Sequence, residues 1–294
     1  MLINNQFRKG IFLTAFGSFW WGFIGVIYFE YVAFIGHVEL VVHRCLWTAV
    51  MLILTTTFLS KWNIFLKEIT NKKKLLALLI SGFLIFVNWS IWIYAVATER
   101  IIDASFGYFI MPIISVLLGY IFFKEELNKK RIYSILLVLI SIFILIIFNL
   151  KSLPWVGLIV AFSWAFYNLV RKKINIDTDI GLLIESLYIF PFALFVFYLI
   201  SKTGLNDFDI HNPGLSLFII LAGPMTVIPL FLYVRGVELI GLGPTGMIFY
   251  ITPTLQFILG YFYYGEDFSL VKFGSFIIIW IAVIIYINDL YEKN

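Results

Sequence analysis

The sequence contains few charged residues and a single cysteine. Of its 294 residues, 13% are Asp, Glu, Lys or Arg and 62% are hydrophobic, whereas a soluble domain is roughly a quarter charged and about half apolar. This composition excludes a globular domain with one anchor and predicts a polytopic membrane protein. Because Cys45 is alone, no intrachain disulfide can form. The net charge of +4 does not indicate nucleic-acid binding, because the basic residues lie in short segments between apolar runs.

The sequence also lacks the common motifs of enzymes and ATP-driven pumps. It has no Gly-x4-Gly-Lys-Ser/Thr loop for ATP and no Gly-x-Ser-x-Gly nucleophile elbow. The nearest approach to a zinc-binding His-Glu-x-x-His motif runs from His37 to His43 and has the wrong spacing. We therefore expect no cofactor, no metal and no enzymatic activity. A channel is also disfavoured, because we find no repeated filter-like segment or ring of like charges.

Ten apolar segments are long enough to cross a bilayer, which takes about 20 residues of helix. Continuous runs of this length span a membrane only as α-helices, because every backbone polar group must be bonded within the segment. The predicted fold is therefore an all-α membrane protein with ten transmembrane helices. The predicted spans are 10–30, 38–60, 74–96, 101–123, 131–150, 154–171, 179–200, 213–235, 243–264 and 270–290.

The distribution of lysine and arginine predicts the orientation of the chain. With the N-terminus in the cytoplasm, 16 of the 21 basic residues fall on the cytoplasmic side and four on the outside, while Arg44 lies within a span. Cytoplasmic loops of membrane proteins carry such an excess of positive charge. We therefore expect both termini in the cytoplasm.

The second half of the sequence repeats the first. Pro112 and Glu125 recur 141 residues later as Pro253 and Glu266, and the residues between them also match at several positions. Each half contains five predicted spans. Because five is an odd number, the second copy must enter the membrane from the opposite side.

We accordingly divide the chain into two five-helix repeats, residues 1–150 and 151–294. A 5+5 inverted repeat is typical of alternating-access transporters, in which the solute binds at the repeat interface near the middle of the bilayer. The repeat is the strongest indication of function in the sequence.

Ionisable residues inside the predicted spans are the first candidates for a functional site. Glu39 and His43 are four residues apart and share a helix face, Arg44 follows, and Glu185 is the repeat counterpart of Glu39. Such residues are costly in a membrane and often mark transport pathways. They are interpreted either as a proton relay or solute counter-charge, or as a structural charge cluster that ties the second helix to its neighbours. The structural interpretation is favoured.

Paired glycine and proline residues predict hinges in corresponding spans of the two halves. Pro112 and Pro253 occupy equivalent positions, preceded by Gly107 and Gly246 respectively. Proline removes a backbone hydrogen bond and kinks a helix. Such paired interruptions point to a transport site, so we expect these four residues to border a central cavity rather than only to shape helix packing.

Polar and aromatic side chains near these positions are candidates for contact with the solute. An amide within a span needs hydrogen-bonding partners, so asparagine and glutamine are the stronger candidates, and any one aromatic residue could equally be a packing residue. The predicted substrate-binding residues are Asn88, Trp89, Tyr94, Ser105, Tyr108, Tyr167, Tyr250 and Gln256.

Two segments carry a resemblance to a known family. Residues 43–48, His-Arg-Cys-Leu-Trp-Thr, resemble the His-Arg-x-x-Trp-Ser signature of the RarD group of the drug/metabolite transporter superfamily. Residues 103–112 are similar to that group's Glu-Ala-Ser-Leu-Gly-Tyr-Phe-Ile-Asn-Pro segment, except that Asp103 stands where Glu is usual, Phe106 where that segment has Leu, and Met111 where Asn is usual. The resemblance covers essentially the whole chain.

The resemblance implies two EamA domains and a location in a bacterial inner membrane. Together with the repeat, it favours a secondary transporter that moves a small organic solute, such as a metabolite, an amino acid or a drug. We expect export, and proton coupling is left open. The expected partners are the solute and the lipid bilayer, with no nucleic acid, and a homodimer is compatible with the sequence. The alternatives are a non-transporting membrane scaffold or sensor and, least favoured, an intramembrane enzyme.

Overall fold

The chain folds into helices joined by short connections. The structure is a computed structural model that describes residues 5–97, 101–149, 155–174, 176–204, 206–263 and 270–293; within these ranges it does not describe the side chains of residues 96, 97, 101–106, 149 and 293. All regular elements in these ranges are helical. The prediction of an all-α protein is therefore confirmed over the described residues.

Fourteen α-helices and one π-helical turn make up the described part of the chain. Their bounds are α1 Asn5–Phe19, the π-helical turn Trp20–Ile24, α2 Gly25–Tyr31, α3 His37–Phe58, α4 Trp62–Glu68, α5 Lys72–Ala97, α6 Ile101–Phe123, α7 Lys129–Asn149, α8 Trp155–Lys173, α9 Thr178–Thr203, α10 Pro213–Ile220, α11 Ala222–Ile240, α12 Leu242–Ile248, α13 Ile251–Phe262 and α14 Leu270–Lys293.

Seven helical segments are long and apolar enough to cross a membrane: Asn5–Tyr31, His37–Phe58, Lys72–Ala95, Lys129–Phe148, Thr178–Thr203, Pro213–Ile240 and Leu270–Glu292. Each overlaps one predicted span. An eighth apolar helix, Gly107–Phe123, is shorter. The remaining two predicted spans correspond to α8, which ends in the basic run 171–173, and to the interrupted pair α12 and α13.

Large apolar side chains remain exposed on the outer faces of these helices. Phe83 on α5, Phe143 on α7 and Phe195 on α9 are each more than half exposed. A soluble monomer rarely leaves so much contiguous apolar surface in contact with water. These faces are therefore suited to contact with lipid.

Two spans that match in sequence differ in their continuity. Helix α6 runs unbroken through Pro112, whereas its counterpart divides into α12 and α13 at Phe249 and Tyr250. Pro253 has no N–H with which to bond the carbonyl four residues earlier. That carbonyl, on Phe249, instead accepts a hydrogen bond from the Thr252 N–H at 2.9 Å.

Helix contacts between the two halves occur in pairs related by the repeat. Helix α1, the first of the first half, packs on α11. Helix α8, the first of the second half, packs on α5. Helix α3 likewise packs on α11, while α9 packs on α5. Three further contacts join corresponding helices directly: α3 with α9, α6 with α12, and α7 with α14. The two halves thus interlock along their whole length.

One end of the helix bundle carries both ends of the described chain, and we call it the terminal end. There the ring of Phe7 on α1 lies 5.9 Å from that of Tyr291 on α14. Arg131 at the start of α7 forms an ion pair with Asp289 near the end of α14, at 2.8 Å. Further ion pairs at this end join the second half to the first.

Candidate solute-binding site

A cavity lies between the two halves, nearer to the end of the bundle opposite the terminal end. Its volume is about 60 Å³, larger than the roughly 10–15 Å³ that one water molecule requires. Side chains and backbone from α2, α3, α5, α6, α8, the junction of α12 and α13, and the π-helical turn form its walls. The lining residues are Trp21, Gly25, Val26, Phe29, Arg44, Asn88, Trp89, Trp92, Tyr108, Trp164, Phe249, Thr252 and Gln256.

Aromatic rings from both halves form most of the wall. Tyr108 on α6 and Phe249, its counterpart 141 residues later, face each other with ring centroids 5.7 Å apart. Trp21 and Trp164 meet edge to face at 5.1 Å. Edge-to-face pairs of this kind are stabilising beyond the apolar area they bury. The repeat therefore brings equivalent residues to one place.

Arg44 supplies the positive charge of the cavity. Its side chain is only 5% exposed, and its Nε donates a hydrogen bond to Thr226 Oγ1 on α11 at 3.0 Å. The guanidinium carbon lies 4.6 Å from the ring centroid of Trp89 and 5.0 Å from that of Phe29. Cation–π contacts at these distances hold the guanidinium in place without neutralising its charge.

Two predicted amides also line the cavity. Asn88 is held on α8, because its Nδ2 donates to the Val160 carbonyl at 2.9 Å and to Ser163 Oγ at 3.1 Å. Among the described residues, no hydrogen bond to the Gln256 side chain is seen. Gln256 therefore has donor and acceptor groups that remain available to a solute.

Glu39 and His43 lie outside this cavity, next to the connection between α9 and α10. The Glu39 carboxylate accepts hydrogen bonds from the backbone N–H of Asp207 at 2.9 Å and of Phe208 at 3.0 Å. His43 Nε2 lies 3.4 Å from Glu39 Oε1, and the imidazole packs between the rings of Phe197 and Phe208. These contacts agree with the structural interpretation of this pair. Arg44, on the next helix face, bonds Thr226 rather than Glu39.

Glu185 belongs to a second buried cluster. Its carboxylate accepts hydrogen bonds from Ser81 Oγ on α5 and from the Tyr167 hydroxyl at 3.2 Å, and it lies 3.6 Å from Arg171 Nε. Arg171 passes directly over Gly181, where an added Cβ would lie only 1.9 Å from its Nη1. All of these side chains are buried.

A small void connects the surroundings of the two sites. It is bordered by Glu185 at one side and by Trp89, which also lines the main cavity, at the other. Its volume is about 10 Å³, at the lower limit for one water molecule, roughly 10–15 Å³. Trp89 therefore borders both the void beside Glu185 and the main cavity.

The four predicted hinge residues are buried beside the cavity but do not line it. Gly246 packs on α6, where an added Cβ would lie 3.2 Å from the Pro112 carbonyl oxygen. Gly107 approaches α8 so closely that an added Cβ would lie 2.4 Å from the Gly157 carbonyl oxygen. Pro253 follows the break between α12 and α13. The residues four positions before the two prolines, Tyr108 and Phe249, are the ones that reach the cavity.

The structure brings half of the eight predicted substrate-binding residues to the cavity: Asn88, Trp89, Tyr108 and Gln256. Of the others, Tyr94 is 42% exposed beside Trp155, Tyr167 binds Glu185, and the Tyr250 hydroxyl donates to the Phe109 carbonyl at 2.8 Å. The Ser105 side chain lies outside the described residues.

Sequence reasoning did not select Phe29, Trp92 or Thr252, which also line the cavity. Trp92 is four residues after Asn88 and therefore shares its helix face, a spacing that could have identified it. No comparable signal marks Phe29. Arg171, the last residue of the predicted span 154–171, is also buried.

At the terminal end, charged residues join the two halves. The Glu125 carboxylate at the end of α6 binds Lys172 and accepts the N–H groups of Leu242 and Gly243 at 2.8 Å each. Lys61 after α3 binds Asp179 at 2.7 Å. Partial burial acts to lower the pKa of Lys61, but this hydrogen bond and the nearby negative charges outweigh it and raise the pKa.

Comparisons with known proteins identify relatives along nearly the whole chain. The family model described as the EamA-like transporter family matches twice, at residues 8–147 and 152–288. The chain is similar to Protein RarD of Escherichia coli (31% identity, covering 97% of this chain and 96% of the relative). It is also similar to the uncharacterized transporter YojE of Bacillus subtilis (33% identity, covering 96% and 95%).

A solved structure described only as "Crystal structure of protein" matches the fold. The TM-score is 0.69 at 12% sequence identity, with 94% of this chain and 96% of that chain covered. At this identity the match supports the fold alone.

Proposed function

The chain belongs to the EamA-like transporter family, and from this premise we propose that it is a secondary transporter that moves a small organic solute by alternating access. Membership confirms the resemblance drawn from the sequence and identifies a membrane transporter rather than an enzyme. The identity of the solute, the direction of transport and its coupling to an ion belong to the proposal. Metabolites, amino acids and drugs remain the candidate solutes, and export remains the expected direction.

The observation that carries the proposal is the cavity between the halves. Its wall contains residues of both halves, including the repeat-related pair Tyr108 and Phe249. Inverted-repeat transporters bind their solutes at such an interface. The two matches to one family model and the matched helix contacts support the division into repeats 1–150 and 151–294.

We propose ten membrane crossings, in which α1 with α2, α10 with α11, and α12 with α13 each form one span. With both termini in the cytoplasm of a bacterium, the terminal end faces inward and the cavity lies in the outer half of the inner membrane. The inner side of the protein is closed by the contacts of Glu125 and Lys61 with the second half.

If transport is coupled to protons, we propose Glu185 rather than Glu39 as the group that carries them. Glu39 is fixed by two backbone N–H groups of the α9–α10 connection. Glu185 is buried and borders a small void that shares Trp89 with the cavity. Whether the carrier is a homodimer stays a prediction.

The test is solute movement in liposomes containing the purified protein. A panel of amino acids, other metabolites and antibiotics is screened for flux above that of protein-free liposomes. Gln256→Leu should lower the flux of an active solute, because the amide lines the cavity and loses no protein hydrogen bond. The matched control is Asn63→Leu, which removes an exposed amide on α4 and should leave flux unchanged. Flux no faster than in protein-free liposomes for every solute would contradict the proposal.

A further inference from the structure

Arg44 is a buried positive charge with no acidic partner in the described part of the chain. Its guanidinium contacts one neutral hydroxyl, that of Thr226, and the faces of the Trp89 and Phe29 rings. The two buried glutamates of the predicted charge cluster bond other groups. Glu39 binds the backbone of residues 207 and 208, and Glu185 binds Ser81 and Tyr167.

An unpaired guanidinium inside a membrane protein is costly, and such residues usually face a water-filled cavity or pair with an opposite charge. Arg44 lines the cavity, so a negative charge placed there would compensate it. Because Nε is bonded to Thr226, the orientation of the guanidinium is fixed. Its terminal N–H groups can then form the paired hydrogen bonds with a carboxylate that arginine favours.

The other walls define the rest of the ligand. Indole and phenyl rings of Trp21, Trp89, Trp164 and Phe249 surround the space beside the guanidinium. No lysine, histidine or further arginine is among the lining residues. An apolar, flat group attached to the anion would therefore contact rings, while Gln256 can bond one additional polar atom.

We propose that the solute is an organic anion whose carboxylate binds Arg44 and whose apolar body packs against the tryptophans. This inference rests on the proposed transport function and specifies its substrate class. If Arg44 instead serves only to join α3 to α11 through Thr226, the charge of the solute should make no difference to binding.

The experiment measures binding of matched acid and amide pairs to the purified full-length protein at neutral pH. The probes are benzoate with benzamide and phenylacetate with phenylacetamide, which differ in charge but hardly in shape. Dissociation constants come from the concentration dependence of thermal stabilisation. Wild type should bind the better acid at least about tenfold more tightly than its amide, because hydrogen bonds to charged groups are the stronger ones.

Three variants separate charge from packing. Arg44→Gln should abolish the preference for acid over amide, and Arg44→Lys should keep part of it, since the charge remains but the planar fork is lost. Arg235→Gln removes an arginine that is 42% exposed at the end of α11, outside the cavity, and should keep the full preference.

Equal binding of acid and amide by wild type, or no binding of any acid, overturns the inference, as does an acid preference that survives in Arg44→Gln. The wild-type comparison decides the matter even if Arg44→Gln does not fold. Failure here is distinct from failure of transport. If uncharged solutes cross liposomes through the protein while acids bind no better than amides, transport stands and the anion assignment falls.

Discussion

At the residue scale, neighbouring charged residues on α3 have different environments. Glu39 and His43 contact the connection between α9 and α10, whereas Arg44 turns to the cavity and α11. A helix rotates by about 100° per residue, so adjacent residues face different neighbours. The sequence could predict that Glu39 and His43 share a face. It could not predict that the partner of Glu39 is a backbone segment about 170 residues away.

Replacing Glu39 tests whether it holds that segment. Glu39→Leu should lower the free energy of unfolding by about 1–3 kcal/mol, because the N–H groups of Asp207 and Phe208 lose their acceptor. Glu39→Gln keeps an acceptor oxygen and should cost less. The measurement is thermal unfolding of the purified protein, together with the rate of proteolysis within residues 206–212.

The companion variant is His43→Phe, which retains ring packing against Phe197 and Phe208. In the structural interpretation, its stability and solute flux stay near those of wild type. In the proton-relay interpretation, flux falls although the protein remains folded. A flux loss in both His43→Phe and Glu39→Gln, without loss of stability, would therefore favour the relay.

At the element scale, close backbone contact between helices depends on glycine. Gly107 on α6 faces Gly157 on α8 with no room for a side chain, whereas Gly274 on α14 has open space around its Cβ position. Both glycines lie within helices. Their replacement by alanine therefore separates helix propensity from packing.

Gly107→Ala should destabilise the protein, because the new methyl group would force α6 and α8 apart and the cavity lies between them. Gly274→Ala should leave stability unchanged or raise it by about 0.5–1 kcal/mol, since alanine favours a helix more than glycine does. Thermal unfolding of both variants in the same detergent provides the comparison. A Gly107→Ala protein as stable as wild type would show that this contact can relax.

The prolines show what sequence pattern can and cannot predict about elements. Their equivalent positions predicted that both border a central cavity; both are buried, but neither is among the residues that line it. The pattern predicted like interruptions, yet α6 continues through Pro112 while the second copy breaks at Phe249. A proline removes the same hydrogen bond in both places. Whether a helix then bends or divides depends on tertiary neighbours, such as the contact of Gly246 with α6, that a single sequence does not specify.

At the scale of the whole molecule, the sequence predicted the helical class and the approximate position of every described long helix. It also identified Arg44, Asn88 and Gln256, because polar groups are conspicuous inside apolar runs. It was less informative about the aromatic residues, which make up 19% of the chain. Tyr108 lines the cavity and Tyr250 does not, although both are tyrosines within a turn of a repeat-related proline. The two occupy different repeat positions, because the counterpart of Tyr108 is Phe249, which also lines the cavity.

The ion pairs at the terminal end make the two ends of the molecule different. Ion pairs and backbone hydrogen bonds join the halves at the terminal end, through Glu125 and Lys61. In the proposed alternating-access cycle, these contacts would break when the inner side opens. Partly exposed ion pairs alone contribute little to stability, typically about 0–1 kcal/mol, whereas Glu125 would also have to release the backbone N–H groups of Leu242 and Gly243.

The orientation itself can be tested with single cysteines, because the chain has only Cys45. In a Cys45→Ala background, His211→Cys places a thiol in the exposed α9–α10 connection, and Asn63→Cys places one on α4 after α3. With the termini in the cytoplasm, a membrane-impermeant maleimide added to intact cells should label His211→Cys. Asn63→Cys should react only after the cells are permeabilised.

The two cysteines lie at opposite ends of the bundle, so each serves as the other's control. An excess of lysine and arginine at the terminal end, including Lys61, Lys172 and Arg131, is the physical reason to expect this result. The reverse labelling pattern would place the termini outside. The same cavity would then face the cytoplasm, and Arg44 would take its anion from within the cell in this state.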